Sequence, residues 1–273
     1  MRHPLLFCAA LTLAAAPAFA QAPKADTMAA PVRISAELAA AVAAPTRTPA
    51  NRLRDKYRHP AETLAFFGVK DNDSVVEVLP APGWYTEILA PYLAHRGQLW
   101  LAQSPGKGLD ALKARLAADP ATYDEVKYSE FPMTGTAITD ESQDVVLTFR
   151  NIHNLIMRGG TTADDAFAGF FRTLKPGGVL GVVEHRLPES RDSADEKSSG
   201  YVKRSTVVAL AEKAGFRLVA ESEVNANPKD TADWPKGVWT LPPALALGEA
   251  DKAKYLAIGE SDRMTLKFAK PEE

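Results

Sequence analysis

Three apolar runs restrict what this chain can fold into: SVVEVL at 74–79, DVVLTF at 144–149 and GVLGVVE at 178–184. A strand with one face in water alternates apolar and polar residues, whereas an unbroken apolar run belongs to a strand covered on both faces. The segments between the runs carry helical periodicity: 83–93, 107–118 (Leu109, Leu112, Leu116), 162–173 (Phe167, Phe170, Phe171) and 203–214. Further strands are expected at GQLWLA (97–102), weakly near 126–131, within AGFRLVAESEV and at RMTLKFAK. Upstream, NRLRDKYRHPAETLAFFGV reads as two helical pieces broken before Pro60, with Leu64, Phe66 and Phe67 inward. Strands alternating with helices imply right-handed crossovers and an α/β, doubly wound, mainly parallel Rossmann-like sheet. Ligands of such sheets sit beyond the carboxyl ends of the strands, so the residues just after each strand are the ones to weigh.

The first twenty residues follow another logic. MRHPLLFCAALTLAAAPAFA has a basic start at Arg2, an apolar run from Leu5 to Ala16 and an A-x-A site at Ala18–Ala20, the pattern of a cleaved secretory signal. Its apolar run is too short to span a bilayer. The one cysteine, Cys8, lies inside it, so cleavage leaves a chain without disulfides or thiol chemistry. A periplasmic or secreted protein with no membrane span is expected. Residues 21–50 form an Ala- and Pro-rich arm with a short helix from Ser35 to Ala44, and one domain fills 51–273. A net charge of −2 supplies no general attraction to nucleic acid, so the expected partner is a small molecule.

Three landmarks together, VVEVLPAPGWYTEIL, DVVLTF and FFRTLKPGGVLGVVEH, resemble the class I S-adenosylmethionine-dependent methyltransferases. LAEKAGFRLVAES and MTLKFAK match that family's last helix and strands, and the resemblance covers roughly residues 55–270. GWYTEILAPYL, FRNIHN and VVEHR look like a branch of exported predicted methyltransferases. The resemblance implies an antiparallel last strand, S-adenosylmethionine as cofactor and methyl transfer to a small-molecule acceptor. In the family the first strand ends E/D-h-G-x-G-x-G. Here Glu77 keeps the acidic position and Gly83 the third glycine, while Leu79 and Ala81 stand at the first two. Gln103 falls where an acidic residue normally takes the ribose hydroxyls. Trp84 and Tyr85 start the following helix, to stack on an adenine, line a pocket or fill the core.

Two polar clusters end strands: Arg150, Asn151, His153 and Asn154 after DVVLTF, and Glu184, His185 and Arg186 at the end of GVLGVVEH. His153 or His185 suits a general base, and Arg150 or Arg186 a planar fork for a carboxylate or phosphate. The cofactor side thus comprises Glu77, Leu79, Ala81, Gly83, Trp84, Tyr85, Gln103 and Asn151, and the catalytic side Arg150, His153, Glu184 and His185. A structural reading stands beside this: Asn151 and Asn154 cap a helix, and Glu184 pairs with an arginine. No metal is expected, although His153, His185 and Glu184 would form a ligand set without a standard spacing. Arg54, Asp55, Arg58 and His59 in RDKYRHP read as a solvated helix face, or as a lid over the cleft by the resemblance. Tyr201 from a flexible loop, and Asp230, Trp234 and Trp239 from the long 225–260 loop, are weaker candidates for substrate access. A binding protein, or a His/Glu-based enzyme with a possible metal, remains an alternative on the same fold.

Overall fold

In a computed structural model of the chain, residues 33–80, 82–133 and 137–272 are described; the predicted signal lies outside them, as does Ala81. The strands are β1 Ser74–Val78, β2 Gln98–Gln103, β3 Lys127–Glu130, β4 Gln143–Phe149, β5 Leu174–Leu187, β6 Val202–Lys203, β7 Arg217–Ser222, β8 Pro235–Val238 and β9 Arg263–Ala269. Seven of them form one sheet in the order β3-β2-β1-β4-β5-β9-β7, and β6 adds a short pairing to β5. All pairs from β3 to β5 are parallel, and β9 runs antiparallel to both of its neighbours. This is the expected doubly wound sheet with its antiparallel last strand.

The apolar runs lie where two-sided burial puts them. In β4, Val145, Leu147 and Phe149 face one core layer and Val146 the other. Helices Ala36–Ala43, Pro60–Phe67, Thr86–Leu93 and Lys107–Ala117 cover the first face, burying Leu38, Leu64, Phe67, Ile88, Leu89 and Leu112. Helices Ile152–Arg158, Thr162–Thr173 and Arg204–Lys213 cover the second, through Ile152, Phe167, Phe170 and Val207. Each fully buried Leu or Phe contributes about 1.5–3 kcal/mol over leaving it exposed, so the two layers account for most of the fold's cohesion.

Local boundaries follow capping and turn chemistry. Ser35 caps its helix by accepting a hydrogen bond from the Leu38 amide. The helix after β1 begins at Thr86 rather than at Gly83, because Pro82–Tyr85 forms a turn; Pro91 is accommodated within it. The expected turn at Lys175–Gly178 belongs to β5 as an irregular start, with Gly177 at φ +76° and a register shift opposite Gln143–Val145. The 225–260 loop carries β8 and a helix, Lys252–Ile258. Among the described residues, no helix is long and apolar enough to cross a membrane. Strand order reverses between β1 and β4, so the crevice of this sheet opens where Leu79 and Arg150 leave their strands.

Candidate functional site

A cavity of about 460 Å³ occupies that crevice. Its floor is the end of β1 (Glu77–Pro80) and of β4 (Phe149–Asn151). Arg54 and Arg58 close it from the N-terminal side, and Trp239 and Leu241–Ala244 close it from the long loop. Of the expected site residues, Glu77, Leu79, Trp84, Tyr85, Arg150, Asn151, His153 and His185 line it together. Glu184 stands behind the wall. Gln103 and Arg186 are elsewhere.

Glu184 is fully buried, and both of its oxygens are saturated. Oε2 accepts from the backbone amides of Ile152 (2.6 Å) and His153 (3.2 Å), while Oε1 accepts from the His185 amide (2.8 Å) and holds the His153 ring at Nδ1 (2.9 Å). The carboxylate, and not Asn151 or Asn154, therefore caps the helix Ile152–Arg158, and no arginine pairs with it. Asn151 instead donates from Nδ2 to the Val78 carbonyl (2.9 Å), tying β4 to β1. A negative cap suits a helix N-terminus because its first amides are otherwise unpaired.

The same contacts fix the chemistry of His153. Glu184 Oε1 accepts at Nδ1, which puts the ring proton there and leaves Nε2, without a hydrogen bond among the described residues, as the free ring nitrogen of a cavity-lining histidine. His185 lies beside it, with ring centroids 5.2 Å apart, and its Nδ1 meets the Ser261 hydroxyl at 2.5 Å. Burial above all, with the positive charges of Arg150, Arg263 and Arg58 nearby, drives the His185 pKa well below its ordinary value, so His185 is neutral. His153, Glu184 and His185 bring ligand-type atoms within 4.8 Å of one another. With four donors already on the carboxylate, though, Glu184 has no lone pair to give a cation. The carboxylate thus serves the His153 ring and three backbone amides.

Around the opposite wall the balance is reversed. Glu260 receives Arg54 Nε (2.6 Å), Arg58 Nε (3.1 Å) and Arg263 Nη1 (3.1 Å). Burial would raise its pKa, but Arg58 and Arg263 beside it overcome that and hold it at about 2. Arg58 is 1% exposed, which corrects the reading of RDKYRHP as a solvated face. Its guanidinium lies over Trp84, 4.7 Å from the ring centroid, and that indole donates to the Asn51 carbonyl. Tyr85 stacks on Phe149 at 3.6 Å, so both aromatics are core that also forms cavity wall. Arg186, by contrast, is committed to Asp262 and Glu223. Tyr201 is wholly buried with its hydroxyl on Asp230, which also accepts from Trp234, so none of these three reaches the cavity; Trp239 does. Glu260, Ser261 and Leu241–Pro243 are site residues that no motif announced.

The turn after β1 holds two residues with left-handed backbone. Leu79 adopts φ +49°, the left-handed bend that glycine takes without penalty, and Gly83 is at φ +91°. A Cβ on Gly83 would fall 2.3 Å from Arg115 Nη2, whose guanidinium also binds Glu87. Glu77 accepts from the Thr86 hydroxyl at 2.7 Å, and burial pushes its carboxyl up to about 8. The half-buried Gln103 carries a buried Oε1 with no partner among the described residues.

Fold and cavity together define a class I methyltransferase architecture. No protein-family model matches the chain, and no curated relative matches its sequence. Solved structures do match it. A SAM-dependent methyltransferase from Aquifex aeolicus superposes with a TM-score of 0.56 at 14% identity, over 82% of this chain and 94% of that one. The cyclase SpnF gives 0.56 at 16% identity over 86% and 92%. The glycopeptide N-methyltransferase MtfA, solved with sinefungin, gives 0.52 at 16% over 80% and 87%. At these identities the likeness is one of fold.

Proposed function

We propose that this chain is an exported, S-adenosylmethionine-dependent methyltransferase acting on a small-molecule acceptor, with His153 as general base. The observation that carries the reading is the His153–Glu184 pair, opening into a cavity whose floor is the turn after β1. Two features of this chain fit the cofactor. Leu79 bends as the family's first glycine does, and Gln103 offers an unpaired acceptor where a ribose hydroxyl would be taken. Glu77, Leu79, Gly83, Trp84, Gln103 and Asn151 would hold the cofactor, whose sulfonium methyl is the group it supplies.

The chain's own part is positioning and proton transfer. His153 Nε2 accepts the proton of the acceptor's nucleophilic atom, while Glu184 keeps the ring in one tautomer and stabilises the imidazolium. Neutral His185 and the apolar wall of Phe149 and Trp239 limit the access of water to the base. Alignment of the two reactants supplies more of the rate than the base does.

Titration calorimetry with S-adenosylmethionine and S-adenosylhomocysteine tests this directly. Micromolar binding that disappears in Gly83→Asp is the expected result; no heat at millimolar ligand overturns it. A second reading is an acid–base enzyme of another class on the same scaffold. It is favoured because Gln103 lies outside the cavity while the histidine pair lies inside, and because the structurally similar SpnF is a cyclase. Export is part of the proposal too, and it predicts a mature protein beginning at Gln21; intact mass of the purified native protein decides it.

A further inference from the structure

The arginine wall of the cavity is left unfinished by the protein itself. Ion pairs from Arg54, Arg58 and Arg263 converge on one carboxylate, Glu260. Arg263 is completed by the Ser261 and Tyr57 carbonyls. Arg58 is not: its Nη1 and Nη2 are buried without an acceptor among the described residues, and Arg54 Nη2 is in the same state. Arg150, on the floor, has neither an ion pair nor a side-chain hydrogen bond among the described residues. Its backbone takes φ +61°, a conformation rarely adopted by a long side chain. Burial brings its pKa down to about 10, so it stays charged. Native proteins pair buried cations and buried N–H groups, because leaving them unmet costs far more than the pair returns. Here Arg54, Arg58 and Arg150 line one cavity beside a single carboxylate, and three buried guanidinium nitrogens behind its surface have no acceptor among the described residues.

We propose that this wall is the binding site for the dianionic head of a small amphipathic ligand, gripped by Arg54, Arg58 and Arg150. A guanidinium fork matches a phosphate or a carboxylate pair bidentately, and two negative charges offset most of the excess that Glu260 leaves over. The ligand's body is apolar or aromatic, because Trp84, Tyr85, Phe149, Trp239 and Leu241 form the rest of the wall. Held by its anionic end, such a molecule presents its other end to His153 Nε2. The inference rests on the proposed reading in one respect only, that this ligand is the methyl acceptor and not the cofactor.

The test uses the full chain with phenyl phosphate and phthalate as probes and benzyl alcohol as their neutral counterpart. Calorimetry is expected to show one of the two dianions binding in the micromolar range, which also tells phosphate from dicarboxylate, and no binding of the alcohol. Arg150→Met should weaken that dianion by about 10- to 100-fold, as loss of a charged hydrogen-bonding partner does. It should also raise the melting temperature of the ligand-free protein by about 2–4 °C, since a half-buried charge without a partner among the described residues has been removed. Arg150→Lys should recover part of the binding. Failure of both dianions to bind at millimolar concentration overturns the inference, as does unchanged binding in Arg150→Met. A fall in melting temperature with lost binding overturns it too, by making Arg150 structural. If Arg150→Met instead weakens S-adenosylmethionine by the same factor, the arginines hold the cofactor's carboxylate and the acceptor assignment is wrong. Dianion binding in a protein that ignores S-adenosylmethionine would leave the inference standing and remove the methyl-transfer reading.

Discussion

Two buried carboxylates flank the cavity, and they are solved in opposite ways. Glu184 receives three backbone amides and one imidazole, so every lone pair is used and no cation is involved. Glu260 receives three guanidinium groups, which leaves the arginines in excess and several of their N–H groups unmet. The first arrangement is complete once the chain has folded, and it fixes a helix and a ring. The second is complete only when something negative arrives. Rigidity and appetite for a ligand are thus separated onto the two sides of one cavity, rather than mixed in a single cluster.

The comparison is sharpest under mutation. Glu260→Ala should be the most damaging change, costing about 3–5 kcal/mol because it strands buried charges. Urea denaturation measures it, and added phenyl phosphate should restore part of the loss; absence of rescue would erase the distinction drawn above. Glu77, a third buried carboxylate with one hydroxyl partner, sets a pH arm. Its folded pKa of about 8 lies above the unfolded value near 4.5, so its contribution is fully present below about 4.5 and is lost as pH rises toward 8. The slope is about 1.4 kcal/mol per pH unit at most, and Glu77→Gln should flatten stability between pH 5 and 8. Glu260 acts in the other direction: with a folded value of about 2, its contribution holds above about 4.5 and vanishes as pH falls toward 2. Glu184→Gln should cost about 1.5–3 kcal/mol, as loss of charge-assisted bonds does, and no anion should rescue it. The smallest effect is expected from Leu79→Gly. Relief of the left-handed bend offsets the lost burial to within about 1 kcal/mol, while nucleotide affinity rises.

The fold was legible because burial on both faces leaves an unmistakable trace: DVVLTF has only one polar side chain besides its opening Asp144, and helical segments separate such runs at regular intervals. The floor of the cavity was legible for the same reason, since the switch point follows from strand order and the polar residues after β1 and β4 are conspicuous in apolar surroundings. The arginine wall was not. Arg58 sits among Arg54, Asp55 and Lys56, a pattern that reads as a solvated face, and only tertiary packing on Trp84 shows it to be buried. Glu260 and Ser261 lie in a loop without periodicity, and nothing local marks them as partners of residues near the other end of the chain. The positive φ of Leu79 was not legible either, because it is a backbone property that the side chain conceals.

The span of one ion pair bears on the order of assembly. Arg54 and Glu260 are 206 positions apart in sequence, among the most distant partners in the molecule. Contacts of such separation carry a large loop-closure cost and form late, after local helices and neighbouring strands are in place. A chain emerging from the ribosome, or crossing a membrane from its N-terminus, can build the β1–β4 half of the sheet early. Its arginine wall has no counter-charge until the segment before β9 arrives, so competence to bind comes as the closing event of folding, and a truncated or stalled chain would carry the scaffold without the site.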